Sequence, residues 1–273
     1  MNRILIGITL ILLSLTANAE KVYTFGIVPQ QSASKLAKLW GPIFREISQQ
    51  TGIPIQFATA PDIPTFEKRL SDGQYDFAYM NPYHFTVFNE SPGYKAMVKA
   101  KDKRIKGIIV VNKDSGISTL QQLNDSQLAF PAPAAFAASI LTRSHLASTG
   151  VKFKANYVSS HDSVYLSVSK GLYAAGGGVM RTLNNINQAT RDTLKILWTS
   201  NGFTPHAIAA HPDIPDEIVK PVQNAFINLD DSPKGTELLA SIKLKGFVFA
   251  DDSDWDDVRS LKIDLLKDIK GPK

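Results

Sequence analysis

The feature that most constrains the fold is an alternation of strand-like and helix-like segments that runs through most of the chain. Such alternation predicts α/β architecture with mostly parallel sheets. Val22–Val28 reads as an opening strand, and Leu36, Leu39, Trp40, Ile43, Phe44 and Ile47 then fall on one helical stripe that Gly52 ends. Ile53–Phe57 reads as a strand, Pro64 starts a short helix closed by Gly73, and Asp76–Met80 is a strand running into Asn81-Pro82-Tyr83-His84. The pattern renews at Gly107–Val111. A capping box Ser118-x-x-Gln121, a strand at Leu128–Phe130 and an alanine-rich helix over Ala134–Ser148 follow. Phe153–Val158 leads into Ser160-His161-Asp162 and a helix, Gly176-Gly177-Gly178 precedes another, and Leu194–Trp198 is a strand. The tail predicts helices over Asp216–Leu229, Pro233–Ile242 and Trp255–Ile269. No flexible linker separates two beads, so two α/β lobes joined by crossover strands are expected.

The ends and the composition narrow the setting. Met1-Asn2-Arg3, an apolar run from Ile4 to Leu15 and Ala17-Asn18-Ala19 match a cleaved secretory signal over residues 1–19. The run is too short for a bilayer span of ~20 residues. The chain has 273 residues and no cysteine, which excludes a disulfide framework, a thiol nucleophile, a thiolate metal site and lipidation after the signal. A periplasmic protein that diffuses freely is expected. The net charge of +5 is scattered and forms no basic stripe with interleaved aromatics, so no nucleic-acid partner is expected.

Catalytic signatures are absent. There is no G-x-S-x-G, no H-E-x-x-H and no G-x-x-x-x-G-K-[ST], and the three successive glycines lack the lysine and spacing of a phosphate loop. His84, His145, His161, His206 and His211 offer no convincing metal-ligand spacing, and His206 and His211 lie on opposite faces of one strand. The acids Asp251, Asp252, Asp254, Asp256 and Asp257 lack the glycine and closing glutamate of a calcium loop and read as helix N-terminal charges. No enzyme, cofactor or metal is expected. In α/β sheets ligands bind beyond strand carboxyl ends, where helix N-termini attract anions. Val28–Ser32, Phe130–Ala134 and Val158–Asp162 have that form.

The order of several segments carries a resemblance. They are Gly26-Ile27-Val28-Pro29, Trp40-x-Pro42, Leu70-x-x-Gly73-x-x-Asp76-Phe77-Ala78-Tyr79-Met80-Asn81-Pro82 and Ser115-Gly116-Ile117-x-x-Leu120-x-x-Leu123. Ala129-Phe130, Ser160-His161-Asp162-Ser163-Val164 and Ile196-Leu197-Trp198-Thr199-Ser200 complete the set. Together they resemble the PhnD-type periplasmic phosphate/phosphite/phosphonate-binding proteins of ABC transporters. The resemblance implies a type II periplasmic binding protein fold: two α/β lobes, two crossover strands and a ligand cleft between them. The first lobe is expected over residues 20–106 plus 206–273 and the second over 107–205.

The pocket departs from the family pattern. The positions matching its Ser-Thr-Ser run are Ala135, Phe136 and Ala137; an expected tyrosine is Ile63, an expected aromatic is Met80, and an expected acid is Ala174. His161 alone survives from that set. Each lost charge-assisted hydrogen bond costs ~1.5–3 kcal/mol, so backbone amides and His161 must compensate if phosphonate is to be held. Apolar walls are expected at Ile63, Met80, Tyr83, Phe136 and Phe203. The ligand-binding candidates are Gln30, Ile63, Met80, Asn81, Tyr83, Ala135, Phe136, Ala137, Ser160, His161, Arg181 and Ser200. Seven of them have a structural alternative: a cap or interlobe bond for His161, a solvated helix position for Arg181, turn chemistry for Asn81 and Tyr83, a hinge for Ser200, and core packing for Phe136 and Met80. The expected function is capture of a small anionic solute, phosphate/phosphonate-like or another, by a monomer serving an ABC permease. The alternative is a sensing subunit working with a membrane histidine kinase.

Overall fold

The structure is a computed structural model that describes residues 21–266 and residue 268. The expected signal segment 1–19 lies outside the described residues. Among those described, no helix is long and apolar enough to cross a membrane.

Chain order begins β1 (Tyr23–Ile27), α1 (Ala33–Thr51), β2 (Ile55–Ala58), α2 (Ile63–Ser71), β3 (Phe77–Met80), α3 (Pro82–Glu90) and β4 (Lys95–Ala100). It continues with β5 (Gly107–Asn112), β6 (Ser126–Phe130), a π-helical turn at Phe136–Leu141, α4 (Thr142–Ser148), β7 (Phe153–Tyr157), α5 (His161–Ser169) and β8 (Ala175–Val179). Next come α6 (Met180–Leu183), α7 (Gln188–Asp192), β9 (Leu194–Thr199), β10 (Ala207–Ala210), α8 (Asp216–Ile227), α9 (Pro233–Ser241), β11 (Phe247–Phe249) and α10 (Asp256–Arg259).

Two sheets result, in the orders β11-β4-β10-β3-β1-β2 and β7-β6-β8-β5-β9. Each is mixed rather than mostly parallel. β1 pairs in parallel with β2 and β3, and β6 with β7 and β8. The strands that adjoin the crossovers, β10 and β5, enter antiparallel to their neighbours. The carboxyl ends of β1 and β3 therefore share an edge with the start of β10. The crossovers themselves pair once, through reciprocal bonds between Ile105 and Phe203 of 2.8 and 2.9 Å. Ser200 Oγ accepts from the Gly107 N–H (2.9 Å) and ties the second sheet to this strap.

Packing follows the sequence periodicity. The α1 stripe Leu36, Trp40, Ile43, Phe44 and Ile47 is buried, and Gly52 closes the helix at φ 71°, donating to Ser48 O. The triple glycine is β8, and its reason is steric. A Cβ on Gly177 would stand 1.8 Å from the Ala138 carbonyl, and one on Gly107 2.2 Å from the Ala137 carbonyl. The π-helical turn thus lies directly on the backbone of β5 and β8.

Three local expectations change. Ala134–Ser148 is no single α-helix, because it opens with the π-helical turn before α4. The capping box is Thr119 with Gln122, one residue later than read, since Gln122 Oε1 reaches the Thr119 N–H. Trp255–Ile269 is not one helix: only Asp256–Arg259 is α-helical, and residues 262–264 have left the helix. The acids around Trp255 do stand at helix starts, as read from the sequence, and several also enter ion pairs. Asp254 pairs with Lys99, Asp257 with Arg104 (2.7 Å) and Asp256 with Arg259 (2.9 Å). Trp255 Nε1 donates to Pro205 O (2.9 Å), so this segment braces the return crossover.

Candidate functional site: the seam between the lobes

The shared edge of the first sheet presents Val28 and Gln30 after β1, Asn81 after β3 and His206 before β10. Facing it from the second sheet are Ala135–Ala138 after β6, His161 at the start of α5 and Val179 at the end of β8. With Ile63 and Ile105 these residues line one small space. Asn81 Oδ1 caps α3 by accepting from the His84 N–H (2.8 Å), while its Nδ2 donates across the seam to Ala134 O (3.2 Å). His84 is locked behind it, with Nε2 2.8 Å from Glu67 Oε1.

More bonds hold the seam shut. The His161 N–H donates to Gln30 O (3.0 Å), Gln31 Nε2 to Asp162 Oδ1 (3.2 Å), and the Arg181 guanidinium to Gln30 Oε1. Lys35 reaches both the Asn185 carbonyl and, at 3.6 Å, Asp162. Apolar packing is continuous as well. Phe136 meets Phe203 edge-to-face at 5.5 Å, and Phe136, the alanines around it and Val179 belong to the same buried cluster as the core of the first lobe. The faces of the second sheet carry separate, local clusters. The free volume left in the seam is about 10 Å³, the room of roughly one water.

The start of α5 is largely satisfied by the protein itself. Ser160 Oγ accepts from the Ser163 N–H (3.1 Å), and the His161 N–H is spent on Gln30. The unpaired amides expected there are therefore mostly occupied. The π-helical turn differs, since its first residues Phe136, Ala137 and Ala138 have no acceptor within the turn.

Electrostatically the seam is nearly neutral. Burial, and then the Arg181 charge, push His161 down to about 3, so its imidazole is uncharged at neutral pH. His161 Nδ1 lies 3.1 Å from Thr182 Oγ1. His206 is also pushed well below its ordinary value, by burial first and by Arg181 next. Its Nε2 is buried without a hydrogen-bond partner among the described residues. His206 stacks on Tyr79 at 4.8 Å, and the Arg181 guanidinium lies 5.9 Å from the Tyr79 ring centre.

Of the residues singled out from sequence, Gln30, Ile63, Asn81, Ala135, Phe136, Ala137 and His161 sit together at the seam. Arg181 lies at its rim, bonded to Gln30 rather than solvated. Four others lie elsewhere. Met80 is fully buried and pairs with Ala207 inside the sheet. Tyr83 accepts from the Leu266 N–H (2.9 Å) and faces the C-terminal segment. Ser160 acts as the α5 cap, and Ser200 belongs to the strap between the crossovers. His206 and Ile105 were missed as seam residues. The signal was their place on the crossovers, which only the antiparallel entry of β10 reveals.

Two lobes, each with a mixed sheet, linked by paired crossovers and meeting at strand ends, define the type II periplasmic binding protein fold. Solved structures of that kind match. A binding protein component of an ABC phosphonate transporter from Pseudomonas aeruginosa aligns at TM-score 0.82 and 18% identity, over 89% of this chain and 86% of that one. PhnD1 from Prochlorococcus marinus, solved with methylphosphonate, aligns at TM-score 0.82 and 19% identity, over 92% of this chain and all of that one. A curated relative, the phosphate-import protein PhnD of Mycolicibacterium smegmatis, is 20% identical over 229 residues, 74% of this chain and 70% of that protein. The family model for periplasmic substrate-binding proteins of phosphonate ABC transporters matches residues 25–255. The chain belongs to this family.

Proposed function

We propose that this protein captures a small oxyanion of the phosphate–phosphonate class between its lobes and presents it to an ABC permease, as a monomer without catalytic activity. The division expected from sequence, 20–106 plus 206–273 against 107–205, supplies the two jaws, with Ile105 and Phe203 as the hinge. The observation that carries this reading is convergence. The free amides of Phe136–Ala138 and the imidazole of His161 from one lobe meet Gln30, Asn81 and His206 of the other at a single seam. Helix-start amides hold anions without needing side-chain hydroxyls. This answers the loss of the Ser-Thr-Ser run.

A seam of about 10 Å³ cannot admit a phosphonate, so entry requires the lobes to part about the crossovers, a hinge motion typical of this architecture. Nothing in the site or in the relatives favours coupling to a sensor kinase. The Thr182 hydroxyl beside His161 is committed to Val179 O (3.0 Å) and Tyr165 (2.8 Å), and neutral imidazoles so arranged support binding rather than catalysis. Calorimetric titration with inorganic phosphate and methylphosphonate, paired with small-angle X-ray scattering, tests the proposal. Saturable binding with a change in radius of gyration is expected; no binding of either anion and an unchanged profile would contradict it.

A further inference from the structure

Against the crossovers, and sharing Ile105, Val179 and His206 with the seam, lies a second and far larger cavity of about 320 Å³. Both lobes build it. Four cationic residues line it, Lys103, Arg104, Lys106 and Arg181, against one carboxylate, Asp102. Arg104 is already engaged by Asp257 (2.7 Å), Gly202 O (3.0 Å) and Thr204 Oγ1 (3.2 Å). Among the described residues, Lys103, Lys106 and Arg181 have no carboxylate within ion-pair distance. The Arg181 bond to Gln30 Oε1 leaves its charge uncompensated. The cavity also contains a flat aromatic wall, Tyr79 stacked on His206 at 4.8 Å. The Nε2 of His206, a residue only 5% exposed, is buried without a partner among the described residues. Val179, Met180 and Leu244 supply apolar surface.

A bare phosphate suits this space poorly. Its volume sits at the lower end of the roughly 300–1,000 Å³ of pockets that enclose whole organic ligands. Uncompensated cations call for an anionic head, and the apolar and aromatic walls call for a carbon body beside it. We infer that the ligand of this protein is an organic phosphonate or phosphate monoester carrying an apolar or aromatic substituent, whose head is held at the seam by the amides of Phe136–Ala138 with Arg181 at the rim, while its body extends past Ile105, Val179 and His206 into this side cavity, where Lys103 and Lys106 add attraction for the dianion. The inference rests on the capture reading above and specifies its substrate class.

The test is a calorimetric comparison of inorganic phosphate, methylphosphonate and phenylphosphonate on the wild-type protein, on Lys103→Ala/Lys106→Ala, and on Met180→Trp, which fills the cavity from an exposed position. Circular dichroism checks that each variant is folded. Phenylphosphonate is expected to bind at least about tenfold more tightly than methylphosphonate, because only its ring buries apolar area. The lysine pair is expected to weaken phenylphosphonate roughly tenfold or more, with a shallower salt dependence. Met180→Trp should weaken phenylphosphonate while sparing methylphosphonate. Equal affinity for the two phosphonates, or phenylphosphonate binding indifferent to both variants, overturns the side-cavity inference and leaves anion capture standing. Binding of none of the three anions overturns both.

Discussion

The seam and the side cavity share three walls, Ile105, Val179 and His206, yet they are built from opposite materials. The seam is nearly filled by Phe136 and three alanines, Ala135, Ala137 and Ala138, and its imidazoles are neutral. Beside it the cavity is some thirty times larger in free volume, about 320 against 10 Å³, and is ringed by uncompensated cations. One region stabilises the closed form by apolar burial; the other keeps charge and space beside it for the body of an anionic ligand. Stability and recognition are therefore separable by mutation.

The largest effect belongs to Phe136. It is 1% exposed and bridges the lobes through Phe203, so Phe136→Ala should lower stability by about 3–5 kcal/mol. Met180→Ala, in the cavity wall and 40% exposed, should stay within about 0.5 kcal/mol. Urea denaturation reads both. Similar losses for the two would erase the contrast.

The pH dependence is next in size. His161 holds its proton less tightly when folded, near 3, than when unfolded, near 6.5. The unfolded chain therefore binds more protons between those values, and stability rises with pH across that window. The contribution is full above about 6.5 and is lost progressively as pH falls toward 3, on the order of a few kcal/mol. His206, depressed in the same direction, adds to the same slope. Thermal denaturation at several pH values should show a shallower slope for His161→Gln, with the His206 part retained. An unchanged slope would mean that His161 is not the buried neutral group described.

Smallest is the stability effect of Lys103→Ala/Lys106→Ala, expected within about 0.5 kcal/mol because both side chains are exposed and have no carboxylate partner among the described residues. A larger loss in denaturation would show that these lysines brace the crossovers rather than wait for an anion.

Much of the fold was legible because local chemistry and tertiary packing agree. The Trp40 stripe, the glycine stops and the strand runs at Gly107 and Leu128 are periodic enough to place themselves. The sheet directions were less legible, because β10 and β5 are set by the crossovers and not by their own residues. The π-helical turn was hidden for a similar reason. Ala134–Ser148 has high helix propensity, and only the close approach over Gly107 and Gly177 marks the segment as unusual. At the site, residues at strand ends such as Gln30, Asn81 and His161 could be found from position. Met80 and Tyr83, beside Asn81 in sequence, could not be assigned, because the pleat and the first turn of α3 send neighbours in different directions. His206 and the lysines of the crossover were passed over because their meaning comes from what stands opposite.

Amide chemical-shift mapping during a titration with methylphosphonate tests the two-jaw account most directly. Saturable shifts are expected together at Phe136–Ala138, at His161 and at the Ile105–Phe203 strap, since the first two regions would meet the anion and the third would report lobe movement. The absence of saturable shifts, or shifts confined to surface residues away from the seam and the crossovers, would contradict it.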